Sequence, residues 1–161
     1  MIDIRNHEEA SVLFVTFRDR VSHSDLEAAC REVCRITDTY EGAAHLTCSD
    51  VRAMLMPLTG SQERALFEAV RYQRAHGMKF CVHVVDPRTT RGLQLERALE
   101  AARSPGSEDA TVYSMEEATR VLGAARVRLG LTTSVDMGSI ASNMEGIRAR
   151  MQKLTGGRPE K

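Results

Sequence analysis

The stretch between Lys79 and Pro87 constrains the fold more than any other. It runs Phe80, Cys81, Val82, His83, Val84, Val85 and Asp86. An almost unbroken apolar, β-branched run predicts a strand buried on both faces, as in the middle of a sheet with helices on either side. Apolar residues at helical spacing flank it, over 61–76 before and 90–103 after. That alternation is the mark of βαβ units on a largely parallel sheet.

The rest of the chain extends the pattern. Residues 2–5 alternate apolar and polar, and 11–17 form a second β-rich run. Two such runs across a short polar link at 6–9 predict an antiparallel hairpin. Ser22 or Ser24 can cap a helix with Leu26, Ala29, Cys30, Val33 and Cys34 on one stripe. A short strand follows at 44–48, closed by Ser49, Asp50, Val51 and Arg52. Residues 53–60 read as an apolar loop, and Ser61 opens the next helix. Gly77 stops that helix, because a left-handed residue is needed there. Residues 104–109 read as a loop and 111–113 as a short last strand. Ser114 with Glu117 forms a capping box for a final helix. The expected order over residues 1–128 is ββαβαβαβα: an α/β domain with a mixed, mostly parallel sheet flanked by helices.

From Gly130 the character changes. Residues 129–136 read as a linker. Met137, Ile140, Met144, Ile147, Met151 and Leu154 then recur at spacings of three and four, an a/d seam over 137–155. An isolated helix of that length is barely stable in water, so the seam needs something to pack on. Its two readings are self-association or partner docking, and packing back on its own domain. Residues 156–161 read as a loose tail.

Composition narrows the function. Lys plus Arg and Asp plus Glu balance at 22 each, which leaves no basic footprint for nucleic acid. The chain has no Trp, so stacking platforms for single strands are not expected. No apolar run reaches the roughly 20 residues of a membrane span. The first residues carry no secretory pattern. Four cysteines without such a pattern suggest a reducing, cytoplasmic setting with free thiols.

The hairpin over 2–17, the strand at 45–48 followed by Asp50, the strand over 80–85 and the junction Tyr113-Ser114-Met115-Glu116-Glu117-Ala118 together resemble the STAS domain family (sulfate transporter and anti-sigma-factor antagonist). The likeness is to small stand-alone bacterial members and covers residues 1 to about 128. It implies a mixed sheet with packed helices, and binding of protein partners in place of catalysis. Regulatory members carry a phosphorylatable Ser at the start of the helix after the third strand. Ser61 falls at that place, in the context Leu58-Thr59-Gly60-Ser61. The family's preceding Asp is absent, and the Gly stands before the Ser.

The candidate sites follow. Ser61 can accept a phosphate or anion at a helix start, or simply cap it. Met54, Leu55, Met56 and Leu58 make an unusually apolar loop, a candidate partner surface. Asp50 and Asp86 with Arg52, Arg88 and Arg91 can converge at the carboxyl ends of the strands, where open α/β sheets bind ligands. That is the alternative reading, a small ligand-binding or enzymatic domain. No Walker loop or dinucleotide fingerprint is present, and no cofactor is expected. His45, Cys48, Cys81 and His83 offer metal-ligand chemistry, but no paired zinc-ribbon spacing exists. Core packing is the expected role of the four cysteines, with no metal and no catalytic residue. The resulting expectation is a regulatory or scaffold protein that binds a protein partner and self-associates.

Overall fold

The computed structural model describes residues 1–89 and 108–131. Strands β1 (Ile2–His7), β2 (Val12–Asp19), β3 (His45–Met54), β4 (Met78–Val84) and β5 (Glu108–Val112) form one sheet in that order. β1 runs antiparallel to β2, and the other neighbours are parallel. Helices α1 (His23–Thr39), α2 (Gly60–Ala75) and α3 (Met115–Arg128), with a short 3-10 turn at Glu8–Ala10, complete the described elements. The mixed, mostly parallel α/β architecture is the expected one. The helices expected over 90–103 and 137–155, most of the linker and the 156–161 tail lie outside the described residues.

The connections β2–α1–β3 and β3–α2–β4 step the same way across the sheet. Right-handed crossovers then require both helices on one face. Leu26, Val33 and Ile36 of α1 and Val70 of α2 share a core with Leu13, Val15, Phe17, Val51 and Cys81. The opposite face carries Val12, Phe14, Leu46, Cys48, Val82 and Val84, packed with Met115, Ala118, Leu122 and Ala125 of α3. The period of two decides which core a residue joins. Cys48 and Cys81 therefore lie on opposite faces, although their strands are neighbours.

The local signals act as chemistry dictates. Ser22 caps α1 by accepting from the Asp25 amide at 3.0 Å. Ser114 caps α3 by accepting from the Glu117 amide at 3.1 Å, while Glu117 accepts from the Tyr113 amide at 3.3 Å. Two boundaries differ from expectation. β3 continues through Asp50 and Arg52 to Met54, so β3, not β4, is the central and longest strand. β5 begins at Glu108, inside the stretch read as a loop. Both extensions contain charged residues that look like turn formers in one dimension. In three dimensions each charge has an ion-pair partner.

Gly77 has φ +108°, and a Cβ there would sit 2.4 Å from the Ala43 carbonyl oxygen. Its own carbonyl accepts from the His45 amide, joining the starts of β3 and β4. Gly77→Ala should cost more than about 1 kcal/mol, read as a lower urea midpoint with an unchanged slope. An unchanged midpoint would show that the 42–43 backbone yields freely.

Candidate functional site

The carboxyl ends of β2 to β5 lie along one rim, joined there by the start of β1. Met1 reaches this rim, with its amino group donating to the carbonyls of Arg18 and Arg20. The 55–59 connection enters α2 through Thr59, whose hydroxyl accepts from the Gln62 amide. The Gln62 side chain accepts in return from the Thr59 amide at 2.9 Å. Gln62 also donates to the Val21 carbonyl at 2.9 Å, tying the loop to the entry of α1. The cap of α2 is thus Thr59 and not Ser61. Thr59 wins because a Gln three residues on closes the box, whereas Ser61 has Arg64 at that offset. Ser61 is exposed in the first turn, with its hydroxyl 3.1 Å from that of Thr59.

The apolar loop divides in two. Met54 and Leu58 are buried in the α1/α2 core, which corrects their assignment to a partner surface. Leu55 and Met56 are 59% and 49% exposed. Among the described residues the other exposed large apolar side chains are Met1 at 57%, Tyr113 at 59% and Val127 at 73%. Four of these five stand on the rim, and only Val127 belongs to the far end of α3.

The acidic residues at the same rim are held locally. Asp50 accepts from the Arg52 amide, from Nε at 3.0 Å and from Nη2 at 2.8 Å. Asp86 repeats the arrangement with the Arg88 amide, Nε and Nη2. Each carboxylate grips the arginine two residues on. Register places Asp50 opposite Val84, the last paired residue of β4. Both carboxylates have both oxygens engaged. That arrangement suits a rigid rim better than proton transfer, which needs a carboxyl able to reach substrate. Arg91 lies outside the described residues, as do Met137, Ile140, Met144, Ile147, Met151 and Leu154.

A second polar group lies under the last turns of α2. Gln73 and Arg74 continue the buried stripe of that helix. Gln73 accepts from the Thr47 hydroxyl at 3.1 Å. Arg74 Nη2 donates to both oxygens of Asp109, at 2.6 and 2.7 Å. The Arg74 side chain is almost wholly buried. Cys81 and His83 stand beside this pair on β4, with Sγ and Nδ1 4.0 Å apart. Asp109 and Arg74 carry no motif, and neither was a sequence candidate. The usable signal was a polar pair continuing the apolar stripe of α2, where a buried charge demands a partner.

Neither thiol nor imidazole here is poised for nucleophilic attack. Burial pushes the Cys81 thiol well above its ordinary value, with the Asp109 charge adding to it. Burial lowers the His83 imidazole to about 3, helped by Arg74. Burial raises Cys48 as well, and Cys30 to about 11. A reactive cysteine needs the opposite, a stabilised thiolate. The cavity between α1, α2 and the sheet is about 30 Å³ and mostly apolar. That volume corresponds to roughly two waters, each needing on the order of 10–15 Å³.

His45 is fully buried and stacks on Tyr40 with ring centres 4.5 Å apart. Its Nδ1 lies 3.2 Å from the Ala43 carbonyl. Burial lowers its pKa against a smaller opposing effect of that carbonyl.

No family model and no curated protein matches the chain. No helix among the described residues is long and apolar enough to cross a membrane.

Because folding lowers the His45 pKa, the unfolded chain binds the proton first as pH falls. The stability His45 contributes is complete above the unfolded value near 6.5 and is lost below it. His45→Gln should flatten the fall in stability between pH 7 and 5, by at most about 1.4 kcal/mol per pH unit. Urea titrations at the two pH values read it. Parallel slopes in variant and parent would mean that His45 does not drive the acid sensitivity.

Proposed function

We propose that this chain is a STAS-like regulatory or scaffold module that binds protein partners at the rim of its sheet and does not act as an enzyme. The placement of exposed apolar side chains along one rim carries the reading, with Leu55 and Met56 after the central strand, Met1 at the β1 edge and Tyr113 at the β5 edge. Met1, Leu55, Met56 and Tyr113 share one rim, where a partner would gain area that the fold leaves in water. The locked carboxylates of Asp50 and Asp86 and the raised thiol pKa values favour recognition over chemistry. Free thiols, with no membrane-length helix among the described residues, suit a cytoplasmic setting.

Ser61 is the proposed switch within that surface. Its exposed hydroxyl lies in the first turn of α2, where the helix dipole favours an added phosphate. A dianion at the start of α2, beside Thr59, would change the chemistry a partner meets at the rim. Leu55→Asp with Met56→Asp should abolish capture of protein partners from native extract, and Val127→Asp should not. Ser61→Glu should lower capture at least several-fold, with Ser61→Ala near the parent. Equal capture by all four proteins would place the interaction elsewhere.

The seam from Met137 to Leu154 is proposed to pair with a second copy of the chain. Its strict spacing of three and four is narrower than an ordinary core-facing stripe. Met144→Glu with Ile147→Glu should turn a dimer into a folded monomer, read by light scattering after size exclusion. An unchanged mass, dimeric or monomeric in both proteins, would remove self-association from the account.

A further inference from the structure

Three metal-ligating side chains meet on the α1/α2 face of the sheet beneath the end of α2. Cys81 and His83 are two apart on β4 and so point to the same face. Asp109 is the register partner of Cys81 on β5. One ligand atom from each of the three lies within 4.8 Å of the others. A tetrahedral zinc ion with bonds of about 2.0–2.3 Å holds its donors roughly 3.3–3.8 Å apart. The 4.0 Å between Cys81 Sγ and His83 Nδ1 is close to that requirement. Small χ rotations close the remainder.

The state of His83 is the second, independent observation. The ring is buried, and its Nε2 has no hydrogen-bond partner. Its Nδ1 faces only the weak acceptor sulfur of Cys81. Buried polar atoms are nearly always satisfied, so an imidazole this poorly served calls for a reason. Ligation by the ring at Nδ1 would give that nitrogen a stronger partner than the thiol, with the proton left on Nε2. The donor set also selects the ion. A thiolate with an imidazole favours zinc over magnesium or calcium, which prefer oxygen.

We propose that Cys81, His83 and Asp109 form a binding site for one zinc-class divalent cation, tying β4 to β5 beneath α2. Binding displaces the Cys81 thiol proton to solvent. Asp109 ligates through one oxygen and still accepts from Arg74, which fixes the carboxylate as outer partners of metal ligands do. A water takes the fourth position. Cys81 also lines the cavity between α1, α2 and the sheet.

Cobalt(II) titration of the full, chelator-stripped chain tests the site, since cobalt reports thiolate ligation by colour. The expected result is thiolate-to-cobalt charge transfer with intense tetrahedral bands, saturating at one ion per chain. Zinc should bleach the bands and magnesium should not. Cys81→Ser should remove the charge transfer, and Cys30→Ser with Cys34→Ser should leave it intact. Absence of charge transfer in the unaltered chain overturns the proposal, whatever the variants do. So does charge transfer that survives Cys81→Ser or vanishes with Cys30 and Cys34.

Discussion

Six consecutive buried residues on β2, from Val12 to Phe17, can be accommodated only in a sheet covered on both faces. Burying each Val, Leu or Phe side chain contributes about 1.5–3 kcal/mol, so neither face can be left in water cheaply. α1 and α2 cover one side, and α3 packs on the other. What the two covered faces leave open is the rim, where strands end and loops begin. Leu55, Met56 and Tyr113 are exposed there because no strand neighbour or helix of the described fold reaches them.

The Arg74–Asp109 pair is the buried ion pair of the α1/α2 face. Exchanging such a pair for apolar residues is often neutral, but removing one partner costs about 3–5 kcal/mol, because a buried charge is left alone. The pair therefore fixes where the end of α2 sits over β5 more than it adds net stability. Gln73 on Thr47 does the same over β3. Between these anchors Cys81 and His83 are held in one arrangement, which is what a ligand set requires.

Much of this fold is written in local chemistry. The run through Val82 and Val84, the caps Ser22 and Ser114, and the stop at Gly77 each act over a few residues, and each is found in the structure. Thr59 was equally legible, since Thr59 and Gln62 spell a capping box that Ser61 lacks. β3 beyond Ser49 and β5 before Thr111 were not legible. Asp50, Arg52, Glu108 and Asp109 look like turn residues until register and ion pairing supply their partners. The same non-local step hid the cluster of Cys81, His83 and Asp109. Spacing shows that Cys81 and His83 share a face, but only the pairing of β4 with β5 brings in the carboxylate.

Protein recognition at the rim is the proposed role of this fold. Hydroxyl-radical footprinting of the full chain, alone and in native extract, tests it most directly. Extract should protect Met1, Leu55, Met56 and Tyr113 and leave Val127 and the outer face of α1 as reactive as before. Protection confined to Val127 or to α1, with the rim unchanged, would contradict it.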